Sequence, residues 1–258
     1  MAPKNSTDKN ERGGSKMLIL AHRGYRAKYP ENTLLSFEKA IEFGADGIEL
    51  DVRKSSDDVL VVFHDPYVEL DGDYKIILHT DYHELSKIDL GEGERMPTFS
   101  DVLECLKKFG NRVFLDVEVK LSEVIEPVFE LLQDVKYENF MISSFMRESI
   151  FQFWLEHPKV PVGFIFSENE LSETDPLDLI LDELENMGNV KGLHIILPMK
   201  ICDEYVLSEL PRIKERFKVK LGVWDVNNEE QFRRVENIAD LVITDEVEKI
   251  VKLRGNPG

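Results

Sequence analysis

Gly47-Ile48-Glu49-Leu50-Asp51-Val52-Arg53-Lys54, followed by Ser55-Ser56-Asp57-Asp58 and then Val59-Leu60-Val61-Val62-Phe63-His64-Asp65, is the stretch on which the fold and the chemistry turn. Glu49 and Asp51 alternate with Ile48, Leu50 and Val52. In a strand, that period of two puts both carboxylates on one face and the aliphatic residues on the other. The Ser-Ser-Asp-Asp quartet reads as a turn and Val59 to Phe63 as a returning strand. Folding back about the turn brings His64 opposite the Glu49–Asp51 end, so two acids and a histidine converge in one hairpin. Burying two carboxylates in such a strand is costly unless cations or donors compensate. A half-exposed strand with solvated acids is the alternative reading of an isolated Glu-x-Asp, and the rest of the chain decides between them.

Upstream, residues 17–21 are a short apolar run that ends at His22-Arg23-Gly24. Pro30-Glu31-Asn32-Thr33 opens a helix through Phe43, capped by Asn32 or Thr33, with Gly44 closing it. Downstream, residues 66–96 are a polar excursion with Gly72, Gly91 and Gly93 and no long helix. From Pro97 a strand–helix alternation resumes. Strands are expected at 112–119, 140–145, 160–166, 191–197, 219–226 and 241–244. Helices are expected at 98–109, 122–135, 146–156, 176–187, 203–217, 228–237 and 246–253, with Pro211 breaking the helix at 203–217. Counting the hairpin once gives eight strands, each leading to a helix. Eight such units in 258 residues predict an α/β fold, a (β/α)8 TIM barrel with a short insertion after the second strand, over an open doubly wound sheet. Residues 17–258 form the single catalytic domain in this reading, preceded by a disordered polar tail over 1–16.

Hydrophobic residues make up 42%, enough for a full core, and the formal net charge is −18. That charge argues against nucleic acid or an anionic membrane as a partner. It leaves room for an anionic substrate, because a bound divalent cation reverses the local field. Cys105 and Cys202 have no metal-type spacing and read as reduced thiols in helical stretches. No run approaches the length of a membrane span and residues 1–16 lack an apolar signal core, so no stable membrane insertion is expected and the cytoplasm is the expected compartment.

In a barrel of this kind chemistry collects at the C-terminal ends of the strands. Those ends carry His22-Arg23, Glu49 and Asp51 with His64, Glu118 and Lys120, Ser143-Ser144, Lys200, Trp224 and Thr244-Asp245. Asp116 precedes Glu118 and Lys120 at alternating positions on its strand. Glu49, Asp51 and Glu118 with two histidines, Arg23 and Lys120 on one face favour chemistry over scattered structural roles. Oxygen ligands from Glu49, Asp51 and Glu118 suit a hard cation, Mg2+ or Ca2+, better than zinc. Such a cation, with Arg23 and Lys120, neutralises a phosphate, and His22 and His64 can act as general acid and base. The set suits cleavage of a phosphodiester. No glycine-rich phosphate loop or dinucleotide fingerprint is present, which argues against ATP or NAD.

At these residues the sequence resembles the glycerophosphodiester phosphodiesterase family. The resemblance rests on His22-Arg23-Gly24, Pro30-Glu31-Asn32-Thr33, Gly44-Ala45-Asp46 through Glu49-Leu50-Asp51-Val52, Val62-Phe63-His64-Asp65 and Met96-Pro97-Thr98. Glu118-Val119-Lys120, Ile142-Ser143-Ser144-Phe145, Val223-Trp224 and Ile243-Thr244-Asp245 continue the series in family order. It implies hydrolysis of small-molecule glycerophosphodiesters to sn-glycerol 3-phosphate and an alcohol, by way of a cyclic phosphate that water opens. It also implies His22 and His64 as the acid–base pair and Glu49, Asp51 and Glu118 as holders of one divalent cation, Mg2+ or Ca2+ with Mn2+ also possible. Arg23 and Lys120 match phosphate-contacting positions, and Trp224 a residue lining the glycerol site. Which histidine is the acid stays open, with the origin of His64 in the hairpin favouring it for that role. Asp57-Asp58-Val59 stands where the family commonly has Lys-Asp-Gly, and Asp245-Glu246-Val247 where it often has Asp-Arg-Pro. Two other readings remain. One is a lysophospholipase D-like enzyme using Tyr67, Val68, Ile76, Ile77 and Leu78 as an apolar surface; the other is a non-catalytic phosphodiester-binding barrel.

Overall fold

Aliphatic residues on alternate positions of eight short strands bury both faces of one parallel sheet. The strands are β1 Leu18–His22, β2 Gly47–Lys54, β3 Phe114–Val119, β4 Phe140–Ser144, β5 Val162–Ile165, β6 Leu193–Pro198, β7 Lys220–Trp224 and β8 Leu241–Thr244. The computed structural model of the chain describes residues 16–70, 72–110, 112–188 and 192–255. Neighbours in this series run parallel, and β1 pairs with both β2 and β8, which closes the barrel. The expected (β/α)8 architecture is therefore present. Residues 1–15 of the expected tail, and Lys191 at the start of the strand expected at 191–197, lie outside the described residues.

Two hydrophobic clusters divide the sheet between them. Ile48, Leu50 and Val52 of β2 point outward into the cluster that joins strands to helices. Leu20, Phe114, Met141, Ile165, Ile196, Leu241 and Ile243 fill the inside. Gly47 begins β2 because a side chain there would strike the Phe114 carbonyl oxygen, 2.1 Å from its Cβ position. That close approach lets β2 and β3 run in register, with Glu49 beside Asp116 and Asp51 beside Glu118.

The excursion over 66–96 is a small layer that follows directly on His64 and Asp65. It contains the hairpin Tyr67–Leu70 with Asp73–Ile76, the one-turn helix Tyr82–Leu85 and the ribbon Asp89–Gly91 with Glu94–Arg95. Val68, Ile77, Leu85, Ile88 and Met96 give it a small core of its own, built on Val61 of the strand Leu60–Val62. Val68 and Ile77 are thus buried and cannot form an outer apolar surface. Tyr67, Tyr74, Ile76 and Leu78 remain exposed.

Several elements differ from the sequence expectation. The helix Glu204–Phe217 continues through Pro211 without a break. An interior proline costs about 3 kcal/mol. Burying Val206, Leu210 and Ile213 is worth about 1.5–3 kcal/mol for each side chain, so packing wins. Pro127 sits in the first turn of Ile125–Leu131, where its missing N–H is no loss. An additional helix, Glu168–Glu173, is capped by a Ser167–Glu170 box. Cys202 follows a single 3-10 turn rather than lying in a helix; both cysteines are free. In the turn after β2, the left-handed position is Asp58, with φ of 62°.

Candidate active site

The acid pair of β2 faces inward, as its alternation required, and both side chains are buried. With Glu118 of β3 they offer carboxylate oxygens all within 4.8 Å of one another. The solvated-acid alternative is therefore excluded. Two cations compensate the three acids. Lys120, just beyond β3, places Nζ 2.8 Å from Asp51 Oδ1 and also pairs with Glu118. Arg23 Nε lies 3.2 Å from Asp51 Oδ2, while its Nη1 donates to Glu31 at 2.8 Å.

The turn after β1 aims Arg23. Arg23 and Gly24 both take positive φ, 53° and 80°, and a Cβ on Gly24 would lie 2.3 Å from Ser36 Oγ. This tight passage directs the Arg23 backbone N–H to Glu49 Oε2 at 2.9 Å. Asn32, at φ 55°, is not the helix cap; Thr33 caps Leu34–Glu42 in a box with Ser36. The Asn32 amide instead donates to Asp51 Oδ2 at 2.8 Å. A sequence cannot distinguish a cap from a carboxylate clamp one residue away.

These partners divide the acids electrostatically. Burial opposes ionisation of Asp51, yet Lys120 and Arg23 outweigh it and hold the carboxyl down at about 2. Burial, with the charge of Asp51 added, pushes Glu49 well above the usual carboxylate range. Glu118 is also raised by burial, against Lys120 and with Asp51 repelling it. The two partners of Lys120 move in opposite directions because Arg23 pairs directly with Asp51 and pulls less on Glu118. Three buried oxygens with too few cations suit one added hard cation, which fits the donor set.

Each histidine is tied through Nδ1, leaving its other nitrogen for the site. His22 Nδ1 is 2.8 Å from Asp245 Oδ1 and 3.0 Å from Asp225 Oδ1, with Nε2 4.0 Å from Glu49. Burial works against charge on His22, but the two aspartates and then Glu49 prevail and raise it to about 10. His64 Nδ1 is 2.7 Å from Asp65 Oδ1, and Arg53 Nε donates to the His64 carbonyl at 2.8 Å. Burial lowers His64, with only partial opposition from Asp51. The hairpin fold thus places His64 opposite the acid end, as the sequence indicated.

His22, Arg23, Glu49, His64, Glu118 and Lys120 line a cavity of about 180 Å³. Trp224 and Phe145 form its aromatic side, in edge-to-face contact with centroids 6.3 Å apart. Lys200 does not join them; it is exposed and pairs with Glu168 at 2.5 Å. Ser144 caps the turn after β4 by accepting from the Met146 N–H, while Ser143 donates to Asp116 at 2.5 Å. Asp225 went unnoticed in the sequence and Asp116 unassigned, since no local pattern marks a partner that arrives from another strand.

A closed parallel barrel whose C-terminal mouth sets paired histidines against buried acids and fixed cations is built for phosphoryl chemistry. The Glycerophosphoryl diester phosphodiesterase family model matches residues 22–249, and the chain belongs to that family. A protein from Caldanaerobacter subterraneus subsp. tengcongensis, named glycerophosphodiester phosphodiesterase, is 31% identical over 92% of this chain and 98% of its own. The crystal structure of glycerophosphodiester phosphodiesterase from Thermotoga maritima is also 31% identical, with a TM-score of 0.76, covering 92% of this chain and 98% of that one. An Oleispira antarctica phosphodiesterase shares the fold at 24% identity and a TM-score of 0.76, over 93% and 97% of the two chains. The chain is accordingly an enzyme, a phosphoric diester hydrolase. No helix among the described residues is long and apolar enough to cross a membrane.

Proposed function

We propose that this enzyme hydrolyses soluble glycerophosphodiesters to sn-glycerol 3-phosphate and an alcohol, with one divalent cation and a histidine acid–base pair. The observation that carries the proposal is a cavity lined by Glu49, Glu118, two fixed cations and two Nδ1-anchored histidines, with the Asp51 carboxylate within 4.8 Å of those of Glu49 and Glu118. Glu49, Asp51 and Glu118 would hold the cation, Mg2+ or Ca2+ with Mn2+ compatible. Once bound, it would supply charge stabilisation for the phosphate oxygens. Arg23 and Lys120 bind the same oxygens and stay charged throughout, since each is locked to buried carboxylates. The Oleispira structure is described as a complex with the product sn-glycerol-3-phosphate, which supports this ligand class.

The histidine roles follow from their partners. His22, held cationic by Asp225 and Asp245, is the proton donor to the leaving alcohol. His64, whose burial favours the neutral ring, takes the proton from an attacking glycerol hydroxyl. Attack by that hydroxyl gives a cyclic phosphate that water opens with the roles reversed. This assignment is the opposite of the one favoured by the hairpin origin of His64. Trp224 and Phe145 exclude water and pack on carbon. We place the protein in the cytoplasm, a compartment that suits two free thiols.

A second reading rests on Tyr67, Tyr74, Ile76 and Leu78, exposed on the insertion that begins beside His64. There a lysophospholipid chain would lie. One assay separates these readings: turnover of glycerophosphocholine and lysophosphatidylcholine by protein stripped with EDTA and then given Mg2+, Ca2+ or Mn2+. Restored cleavage of the soluble substrate supports the proposal, and full turnover without any metal refutes the cation site.

A further inference from the structure

Below the carboxylate layer the barrel is plugged by Ile165, Ile196 and Ile243, and the polar exception on this floor is Asp116. It lies on β3 two residues before Glu118, a step of about 7 Å along the strand. Its side chain is fully buried, and Oδ1 accepts the hydroxyl of Ser143 at 2.5 Å. Oδ2 has no hydrogen-bond partner. Among the described residues, only three other buried side-chain polar atoms lack both a hydrogen bond and an ion pair: Trp154 Nε1, His194 Nδ1 and Trp224 Nε1. Trp224 lines the same cavity as Asp116. Two residues that each carry an orphaned buried atom, one an acceptor and one a donor, therefore line the same small space.

Leaving a buried oxygen unpaired is destabilising, because the lost hydration is not replaced. A purely structural tie between β3 and β4 would need only the Ser143 bond. A phosphate oxygen is a poor partner for the ionised carboxylate, being another acceptor of like charge. A hydroxyl suits the site, because it donates to a carboxylate and equally accepts from a carboxylic acid. We infer that Asp116 is a specificity-determining residue that hydrogen-bonds the terminal hydroxyl of the glycerol moiety. With the phosphorus at the level of Glu118 and Lys120, the three-carbon chain reaches down one layer of the barrel to the floor. The hydroxyl next to the phosphate stays above, near the histidines. This inference rests on the proposed glycerophosphodiester activity and deepens it.

The test is a cycle between residue and substrate. The metal-reconstituted wild type, Asp116→Leu and Asp116→Asn are assayed on glycerophosphocholine and on its analogue lacking the terminal hydroxyl, a propane-1,2-diol phosphocholine diester. The wild type should favour the hydroxyl by about tenfold or more in kcat/KM, as expected when a site built for a hydroxyl meets an analogue lacking it. Asp116→Leu should lose that preference to within about twofold. Asp116→Asn keeps the volume and can still pair a hydroxyl, so it should retain part of the preference. A merely structural Asp116 would lower both substrates equally. Equal kcat/KM for the two substrates in the wild type would overturn the inference while leaving the proposed activity standing, and needs no variant to fold. Retention of the full preference by Asp116→Leu would overturn it as well. Failure of the wild type on both substrates would remove the inference together with the activity on which it rests.

Discussion

Replacing Asp245 by Asn removes one of the two carboxylates on His22 Nδ1 and keeps the volume and the bond to the ring. Against burial, the hydrogen bonds to Asp225 and Asp245 and the charge of Glu49 raise His22 from 6.5 to about 10. At 1.36 kcal/mol per pH unit, this is about 5 kcal/mol in favour of the imidazolium, net of the burial that opposes it. Asp225 and Asp245 are the leading favourable partners and Glu49 comes after them. Losing one of the two should lower His22 by about 1–2 pH units, leaving Asp225 to hold the rest. A folded-state value above the unfolded one stabilises fully below pH 6.5, and the stabilisation is lost as pH rises through about 10. Wild type and Asp245→Asn should therefore differ most below pH 6.5 and converge towards pH 10. The measurement is an NMR titration of labelled histidine rings in EDTA, with urea unfolding at the same pH values. An unmoved His22 in Asp245→Asn, with parallel stability curves, would show that the aspartates do not set its charge.

Glu49→Gln should weaken binding of Mg2+ or Ca2+ by at least about tenfold in calorimetry without a loss of fold, since the amide keeps volume and removes charge; a collapsed variant would make the acid structural. On a p-nitrophenyl phosphodiester, whose leaving group needs little protonation, His22→Ala should recover much of the roughly 10²–10⁴-fold loss expected on glycerophosphocholine, and His64→Ala should not. Equal losses for both variants on both substrates would deny them separate roles. Trp224→Ala should raise KM for glycerophosphodiesters with little change in melting temperature, and the reverse pattern would make it a packing residue. His194 on β6 is lowered by burial, and then by the nearby Lys220, to about 4. Its contribution is present above pH 6.5 and lost as pH falls through about 4, so His194→Gln should remove about 3 kcal/mol of acid destabilisation, read from urea midpoints at pH 7 and pH 4.

Period and punctuation are legible in the chain itself. The Glu49–Asp51 alternation, the turn at Ser55–Asp58 and the return to His64 are local patterns, dictated by where side chains point in a strand. Eight such strands with capped helices between them left the barrel as the architecture of choice, and the rule that chemistry sits at strand ends then gathered His22, Glu118, Lys120 and Trp224. What the local pattern could not decide is who meets whom across the closed sheet. Asp245 and Asp225 reach His22 from more than 200 residues away, through the pairing of β1 with β8 and of β8 with β7. Asn32 leaves its apparent capping role to clamp Asp51, and Pro211 stays inside a helix because the buried face outweighs the lost bond. The same closure sets Asp116 one layer beneath Glu118, in register beside Glu49. Residue type and spacing determine which groups can ionise, ligate or turn the chain; burial and cross-strand partners determine their charge and their task, and those exist only once the barrel has closed.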